Sequence, residues 1–170
     1  LPTPFGLVRG GVAPDHQKIK NVIRVYNKVA SDERVRFFGH VCLGRDLFID
    51  DLRKHYDQVV LATGNESDRK MGIPGEDLEN VYSATEFVGW YNGHPDFQER
   101  EFDLSGVNRI LVVGNGNVAI DVARILVQDP DVLAKTDITN KAVSELRQSQ
   151  VKEVVLMARR GPAQAAFSPK

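Results

Sequence analysis

Gly114, Gly116 and Ala119 stand at the spacing G-x-G-x-x-A inside Arg109-Ile-Leu-Val-Val-Gly-Asn-Gly-Asn-Val-Ala-Ile-Asp-Val-Ala-Arg-Ile-Leu126. That spacing holds a dinucleotide when it joins a strand to a helix. The first glycine makes a tight turn, the second lets a pyrophosphate approach the backbone, and the small third residue keeps the helix close to the strand. The helix N-terminus then offers its N–H groups and its positive dipole end to the phosphates. Taken alone, the pattern also fits an ordinary βα turn. A second group lies at Arg159 and Arg160, just after the apolar run Lys152-Glu-Val-Val-Leu-Met-Ala158. At the end of the second strand of a dinucleotide fold, an acidic residue accepts from a ribose 2′-OH and selects NAD. Arginine there accommodates a 2′-phosphate and selects NADP. Two charge-assisted hydrogen bonds at about 1.5–3 kcal/mol each amount to roughly two to four orders of magnitude in cofactor preference. The same pair also fits two surface arginines on a turn before Gly161-Pro162. The interval from Gly114 to Arg159 is 45 positions, against about 20 in the simple fingerprint. The excess is consistent with a βα unit only if residues 130–149 pack outside it.

These groups need particular elements to position them. Ile110 to Val113 is short, continuously apolar and β-branched, as expected of a strand buried on both faces. Val118, Ile120, Val122, Ala123, Ile125 and Leu126 then follow as a helix. Asp129-Pro130 ends it, Val132 to Lys135 fits a single turn, and Ile138, Ala142, Val143 and Leu146 pattern a further helix before the strand at 152–158. Upstream, Tyr56-Asp-Gln-Val-Val-Leu-Ala-Thr-Gly64 predicts a central strand over Val59–Leu61 and a small-residue turn at Ala62, Thr63 and Gly64. Alone this is a strand and a turn. Beside a second nucleotide motif it has another reading, because flavoproteins that bind two dinucleotides place such a turn between their flavin and pyridine-nucleotide domains.

The remaining segments are read by breakers and periodicity. Leu1 to Pro14 is a loop by its proline and glycine content. Asp15 stands as the N-cap of a helix with Ile19, Val22, Ile23, Tyr26 and Val29 on one face, and Lys18, Lys20, Arg24 and Lys28 on a solvated face. Val35-Arg-Phe-Phe-Gly and Val41-Cys-Leu-Gly read as short extended pieces, and Leu47 to His55 as a short helix. Residues 69–78 read as an irregular connection and domain boundary. Ser83-Ala-Thr-Glu86 is a capping box before Phe87, Val88, Trp90 and Tyr91.

Composition narrows the classes. The 170 residues are 42% hydrophobic and 26% charged, with a net charge of −1, ordinary for a globular protein and no basis for nucleic-acid or membrane-surface binding. No apolar run approaches the roughly 18 residues of a membrane span. The single cysteine, Cys42, excludes an intrachain disulfide and a Cys-x-x-Cys pair, which fits a reducing compartment. No metal site is expected. With no initiator methionine and with loop sequence at both ends, the chain is expected to be a segment of a longer protein.

The order of motifs carries a family resemblance. Phe5-Gly-Leu-Val-Arg-x-Gly-Val-Ala-Pro-Asp-His16, Lys20-Asn-Val22, Ile73-Pro-Gly-Glu-Asp-Leu78 and Phe87-Val-x-Trp-Tyr-Asn-Gly93 are followed by Gly116-Asn-Val-Ala-x-Asp-Val-Ala-Arg-Ile-Leu126, Thr136-Asp-Ile138 and Arg159-Arg-Gly-Pro-x-Gln-x-Ala-Phe167. The chain resembles adrenodoxin reductase and the related bacterial NADPH–ferredoxin reductases over essentially its whole length. The resemblance implies a Rossmann-like α/β fold with parallel sheets: residues 1–68 part of an FAD-binding domain, residues 69–170 the N-terminal portion of an NADP-binding domain. It implies an oxidoreductase of electron transport that passes hydride from NADPH to FAD, then single electrons to a ferredoxin or adrenodoxin-type iron–sulfur protein. Gly114, Asn115, Gly116, Asn117, Val118 and Ala119 would line the NADP pyrophosphate turn, Arg159 and Arg160 would hold the 2′-phosphate, and Ala62, Thr63 and Gly64 would lie by the flavin. The histidine matching His16 lies near the flavin ring in that family, with the aspartate matching Asp121 in a polar network. The family's N-terminal G-x-G-x-x-G for FAD is absent from this sequence. A bacterial cytoplasm and a mitochondrial matrix both suit the resemblance. Two alternatives stand beside it: a flavoprotein of the glutamate synthase small-subunit type, and a non-catalytic NADP-binding or redox-sensing module.

Overall fold

The computed structural model describes residues 3–65 and 67–167; Leu1, Pro2 and Ser168–Lys170, at the outer ends of the expected terminal loops, lie outside that description. Helix α1 (Gly6–Gly10) corrects the expectation of a loop over residues 1–14. Leu7-Val8-Arg9 sustains one turn between glycines, closed where the Gly11 N–H donates to Leu7 O at 2.8 Å. The single helix expected from Asp15 is instead α2 (Gln17–Lys20) and α3 (Ile23–Ala30), with a turn at Asn21-Val22 between them. His16, not Asp15, is the N-cap of α2, because the Asp15 carboxylate is drawn to Arg124. Lys20 is not on a solvated face; it is buried.

Residues 35–47 form no ladder beyond an isolated bridge between Leu43 and Leu47. Helix α4 (Ile49–His55) lies where expected. The central strand expected at Val59–Leu61 is not formed: the backbone has no ladder partner among the described residues, and Val60 is 83% exposed. A strand is completed by a neighbour that takes its N–H and C=O groups, and β-branched content cannot supply one.

The second half builds the core. Helix α5 (Ala84–Tyr91) starts at Ser83, whose hydroxyl accepts from the Glu86 N–H. The Glu86 carboxylate accepts from Arg100 at 2.6 Å. Strand β1 (Arg109–Val113) leads into α6 (Asn117–Val127); α7 (Pro130–Leu133) and α8 (Asn140–Arg147) follow, then strand β2 (Glu153–Met157) and a 3₁₀ turn at Pro162–Gln164. Asp129 and Thr139 cap α7 and α8 through their side chains. β1 and β2 pair in parallel with no offset, Arg109 opposite Glu153 through Val113 opposite Met157. Residues 130–149 therefore do not come between the strands, which meets the condition set by the 45-residue interval.

Phe87, Trp90, Tyr91 and Phe102 pack ring on ring, with centroids 4.9–5.5 Å apart. They join Val122, Ile125 and Leu126 of α6, Leu133, Ile138, and Ala142, Val143 and Leu146 of α8 in one cluster. Burying each large side chain contributes about 1.5–3 kcal/mol, more than the roughly 1 kcal/mol of a cap, so core packing fixes α5. Ile110, Val112 and Val154 pack against this cluster, whereas Leu111, Val113, Val155 and Met157 are exposed. The expectation of a strand buried on both faces is thus corrected: the helices cover one face of β1, while on β2 only Val154 packs beneath them and Leu156 on the same face is exposed. The fold class is Rossmann-like α/β. Among the described residues no helix is long and apolar enough to cross a membrane.

Candidate functional site

The turn after β1 has the geometry that its glycines were expected to need. Gly114 adopts φ +143°, and a Cβ there would stand 3.4 Å from Ala119 Cβ. Glycine at 114 and a small residue at 119 are the two sides of one close strand–helix approach. Gly116 has ordinary extended backbone angles, and a Cβ there would meet no protein atom within 4 Å. Nothing in the described protein accounts for glycine at 116; the space above it is open. Gly116 is also the N-cap of α6, a position where glycine brings no side-chain acceptor. Val118 is exposed beside it, and Asn115 is half-buried.

The parallel register sets what lies across from this turn. The Gly114 N–H donates to Met157 O at 2.8 Å, which ties the exit of β1 to the end of β2. Arg159 and Arg160 follow two and three residues later, both exposed. The chain then turns back, so that the Ala166 N–H donates to Asn115 O at 3.1 Å and Ala166 bridges to Gly116. The glycine turn and the arginine pair thus share the carboxyl edge of the sheet. Ala62, Thr63 and Gly64 are exposed in the unpaired stretch, with Gly64 at φ +71°.

His16 and Asp121 meet across 105 positions of sequence: His16 Nε2 lies 3.0 Å from Asp121 Oδ1, with both side chains largely buried. Asp121 stands one turn into α6, so this contact joins the segment before α2 to the helix that begins at the glycine turn. Two charged residues join the group. Arg124 donates from Nε and Nη2 to the two oxygens of Asp15, at 3.1 and 2.7 Å, and its Nη2 lies 3.2 Å from Asp121 Oδ1. Tyr91 of α5 has no exposed surface. Burial pushes its hydroxyl well above the usual tyrosine range, and the negative charge of Asp121 pushes the same way.

Asp15, Arg124 and Lys20 were not among the expected site residues. The three-residue spacing of Asp121 and Arg124 puts them on one side of a helix, a signal available in the sequence. Nothing local marks the ion pair of Lys20 with Asp137, 2.7 Å between Nζ and Oδ2 and 117 positions apart.

Comparison with known proteins supplies the family. The pyridine nucleotide-disulphide oxidoreductase family matches residues 11–161. NADPH-ferredoxin reductase FprA of Mycobacterium tuberculosis is 55% identical over 168 residues, 99% of this chain and 37% of that protein. Mitochondrial NADPH:adrenodoxin oxidoreductase of Homo sapiens is 53% identical over 169 residues, 99% of this chain and 34% of that protein. A solved structure of Mycobacterium tuberculosis FprA in complex with NADPH superposes with a TM-score of 0.94 at 55% identity, again over 99% of this chain and 37% of the other. The chain spans little more than a third of the length of these relatives. With the parallel strands, the glycine turn and this match in one frame, the chain belongs to the pyridine nucleotide-disulphide oxidoreductase family.

Proposed function

We propose that this chain carries the NADP-binding portion of an NADPH-dependent ferredoxin- or adrenodoxin-type reductase. The observation that supports it most is the shared sheet edge: the zero-offset parallel register sets Arg159 and Arg160 beside Gly114–Ala119. The turn fits a pyrophosphate, because a Cβ at Gly116 would fill space that no protein atom uses. In this reading Gly114, Asn115, Gly116, Asn117, Val118 and Ala119 hold the pyrophosphate at the N-terminus of α6. Arg159 and Arg160 take the 2′-phosphate. The bound nucleotide supplies a hydride. His16 and Asp121, tied to α6, stand one turn from the nucleotide, with His16 Nε2 3.0 Å from Asp121 Oδ1.

Residues 69–170 form the N-terminal portion of the NADP domain and residues 1–68 part of an FAD domain in the same reading. Ala62, Thr63 and Gly64 are exposed and outside any ladder, so they do not by themselves assemble a flavin cradle among the described residues. The names of the relatives support a ferredoxin or adrenodoxin-type iron–sulfur protein as partner. The test is titration of the chain with NADPH and NADH, before and after replacing Arg159 and Arg160 together by Ala. At about 1.5–3 kcal/mol per charge-assisted bond, and with both arginines exposed, we expect the lower end: about a hundredfold weaker NADPH binding with NADH nearly unchanged. An equal loss for both nucleotides removes the 2′-phosphate role. NADPH binding without ferredoxin reduction by the full-length protein favours the non-catalytic module.

A further inference from the structure

Both ends of the arginine segment are fastened to the glycine turn. At the near end, the Gly114 N–H donates to Met157 O at 2.8 Å. At the far end, the Ala166 N–H donates to Asn115 O at 3.1 Å, and Ala166 forms a parallel bridge with Gly116. Between the two fastenings run the bend at Arg159-Arg160, Gly161 and the 3₁₀ turn at Pro162–Gln164, which the Gln164 N–H closes on Gly161 O at 3.0 Å. The near fastening continues the β1–β2 ladder, whereas the far one is an isolated bridge outside any strand. Arg159 and Arg160 are exposed, so packing does little to order them. Their order comes from the backbone that carries them. A segment held at one end samples many positions, and that freedom is lost when its side chains close on a ligand. Fastening the second end removes part of that loss before the ligand arrives.

We propose that Ala166 is a positioning residue for cofactor choice: its N–H, given to Asn115 O, holds the arginine segment beside the glycine turn, where Arg159 and Arg160 meet a nucleotide 2′-phosphate. This rests on the NADP reading above and deepens it. The backbone N–H of Ala166 carries the role, not its methyl. Because NADH lacks the 2′-phosphate, the fastening strengthens NADPH binding alone. Selectivity then belongs to the closure of the segment as well as to its two arginines.

The test replaces the Ala165–Ala166 amide of the full chain by an ester, with lactate in place of Ala166, which deletes the N–H and keeps the methyl. Ala166→Pro is the second variant. Removing one neutral hydrogen bond is worth about three- to tenfold, so the NADPH Kd should rise by that factor with the NADH Kd unchanged. In the Arg159→Ala/Arg160→Ala background the same ester should leave NADPH binding unchanged, since no guanidinium remains to be positioned. An equal loss for NADH and NADPH, or a loss that simply adds to that of the arginine variant, is the behaviour of a damaged turn and overturns the proposal. Amide hydrogen exchange in the wild type supplies a readout that needs no variant. Coupling is reciprocal, so NADPH should slow exchange at the Ala166 amide about three- to tenfold more than NADH does. Equal slowing by the two nucleotides overturns the proposal even where neither variant folds. A wild-type chain without preference for NADPH over NADH removes the functional reading and this inference together. A preference that the arginine variant abolishes and the ester keeps removes this inference alone.

Discussion

Replacing the two glycines of the turn one at a time separates a structural demand from a binding demand. At Gly114, φ is +143° and a new methyl would stand 3.4 Å from Ala119 Cβ. An L-residue held in such a sparsely populated region costs about 1–3 kcal/mol, so Gly114→Ala is expected to lose about that much stability. Gly116 is the opposite case, with φ −91°, ψ 178° and open space where a Cβ would go. There Gly→Ala stabilises by about 0.4–1 kcal/mol through the unfolded chain. Alanine is a poorer N-cap than glycine, by an amount of order 0.5–1 kcal/mol. The two effects nearly cancel, so Gly116→Ala should fold as stably as wild type to within about 0.5 kcal/mol. Its methyl nevertheless occupies the approach to the α6 N-terminus, and losing one charge-assisted hydrogen bond to a phosphate costs about 1.5–3 kcal/mol. NADPH affinity should then fall by about tenfold to a hundredfold. Urea midpoints and NADPH titrations of both variants provide the readout. A Gly116→Ala chain that binds NADPH like wild type refutes the placement of the pyrophosphate; one as destabilised as Gly114→Ala refutes the assignment of open space.

Two further perturbations test the polar groups under the site. Lys20 is 8% exposed and its partner Asp137 60% exposed, so the two halves of the pair are not equivalent. Asp137→Ala leaves an ammonium buried without its partner and should cost about 1–3 kcal/mol, whereas Lys20→Met leaves a carboxylate that water reaches and should cost under about 1 kcal/mol. Urea unfolding in which Lys20→Met is the more damaging change would contradict the burial argument. Tyr91 is buried with its hydroxyl lacking a hydrogen-bond partner among the described residues, and burial first, then the charge of Asp121, holds it protonated beyond the usual tyrosine range. The folded chain thus keeps a proton that the unfolded chain releases near pH 10, and stability must fall as pH rises above about 10. Tyr91→Phe should be neutral to about 1 kcal/mol stabilising at pH 7, with a shallower alkaline decline; an unchanged decline in thermal midpoints places the titration elsewhere.

How much of this was legible in the sequence depended on where each residue's partner lies. The β1–α6–β2 unit was readable because its information is local: an apolar run, glycines at fixed spacing, helical periodicity, then a second run. Even there, the expected burial of both faces of β1 failed, since Leu111 and Val113 have the same apolar character as Ile110 and Val112 and composition cannot say which face a helix covers. Val59–Leu61 failed for a related reason, because strand propensity says nothing of the neighbour that would complete the ladder. Asp15 has the local signature of a cap, because aspartate before an apolar-periodic segment usually is one. The competing partner, Arg124, lies 109 positions away. The charge of Lys20 points to a solvated face, and the long-range carboxylate that permits its burial has no signature within a helical window.

These long-range contacts change the meaning of the proposed boundary near residue 68. Ala13, Pro14 and Lys20 are buried, and Asp15, His16 and Lys20 find their partners at Arg124, Asp121 and Asp137. By packing, then, Asp15, His16 and Lys20 sit with α6 and the segment around Asp137 although by sequence they precede the unpaired stretch at 57–65. In the proposed division, the irregular connection at 69–78 is where the chain passes from one part to the other, and contacts cross it. A nucleotide seated at Gly114–Ala119 would press on the N-terminus of α6, and Asp121 and Arg124 carry that helix directly to His16. In the proposed division, the contact that crosses the boundary is therefore the same contact that orders the histidine, with His16 held against Asp121 and Arg124 of α6.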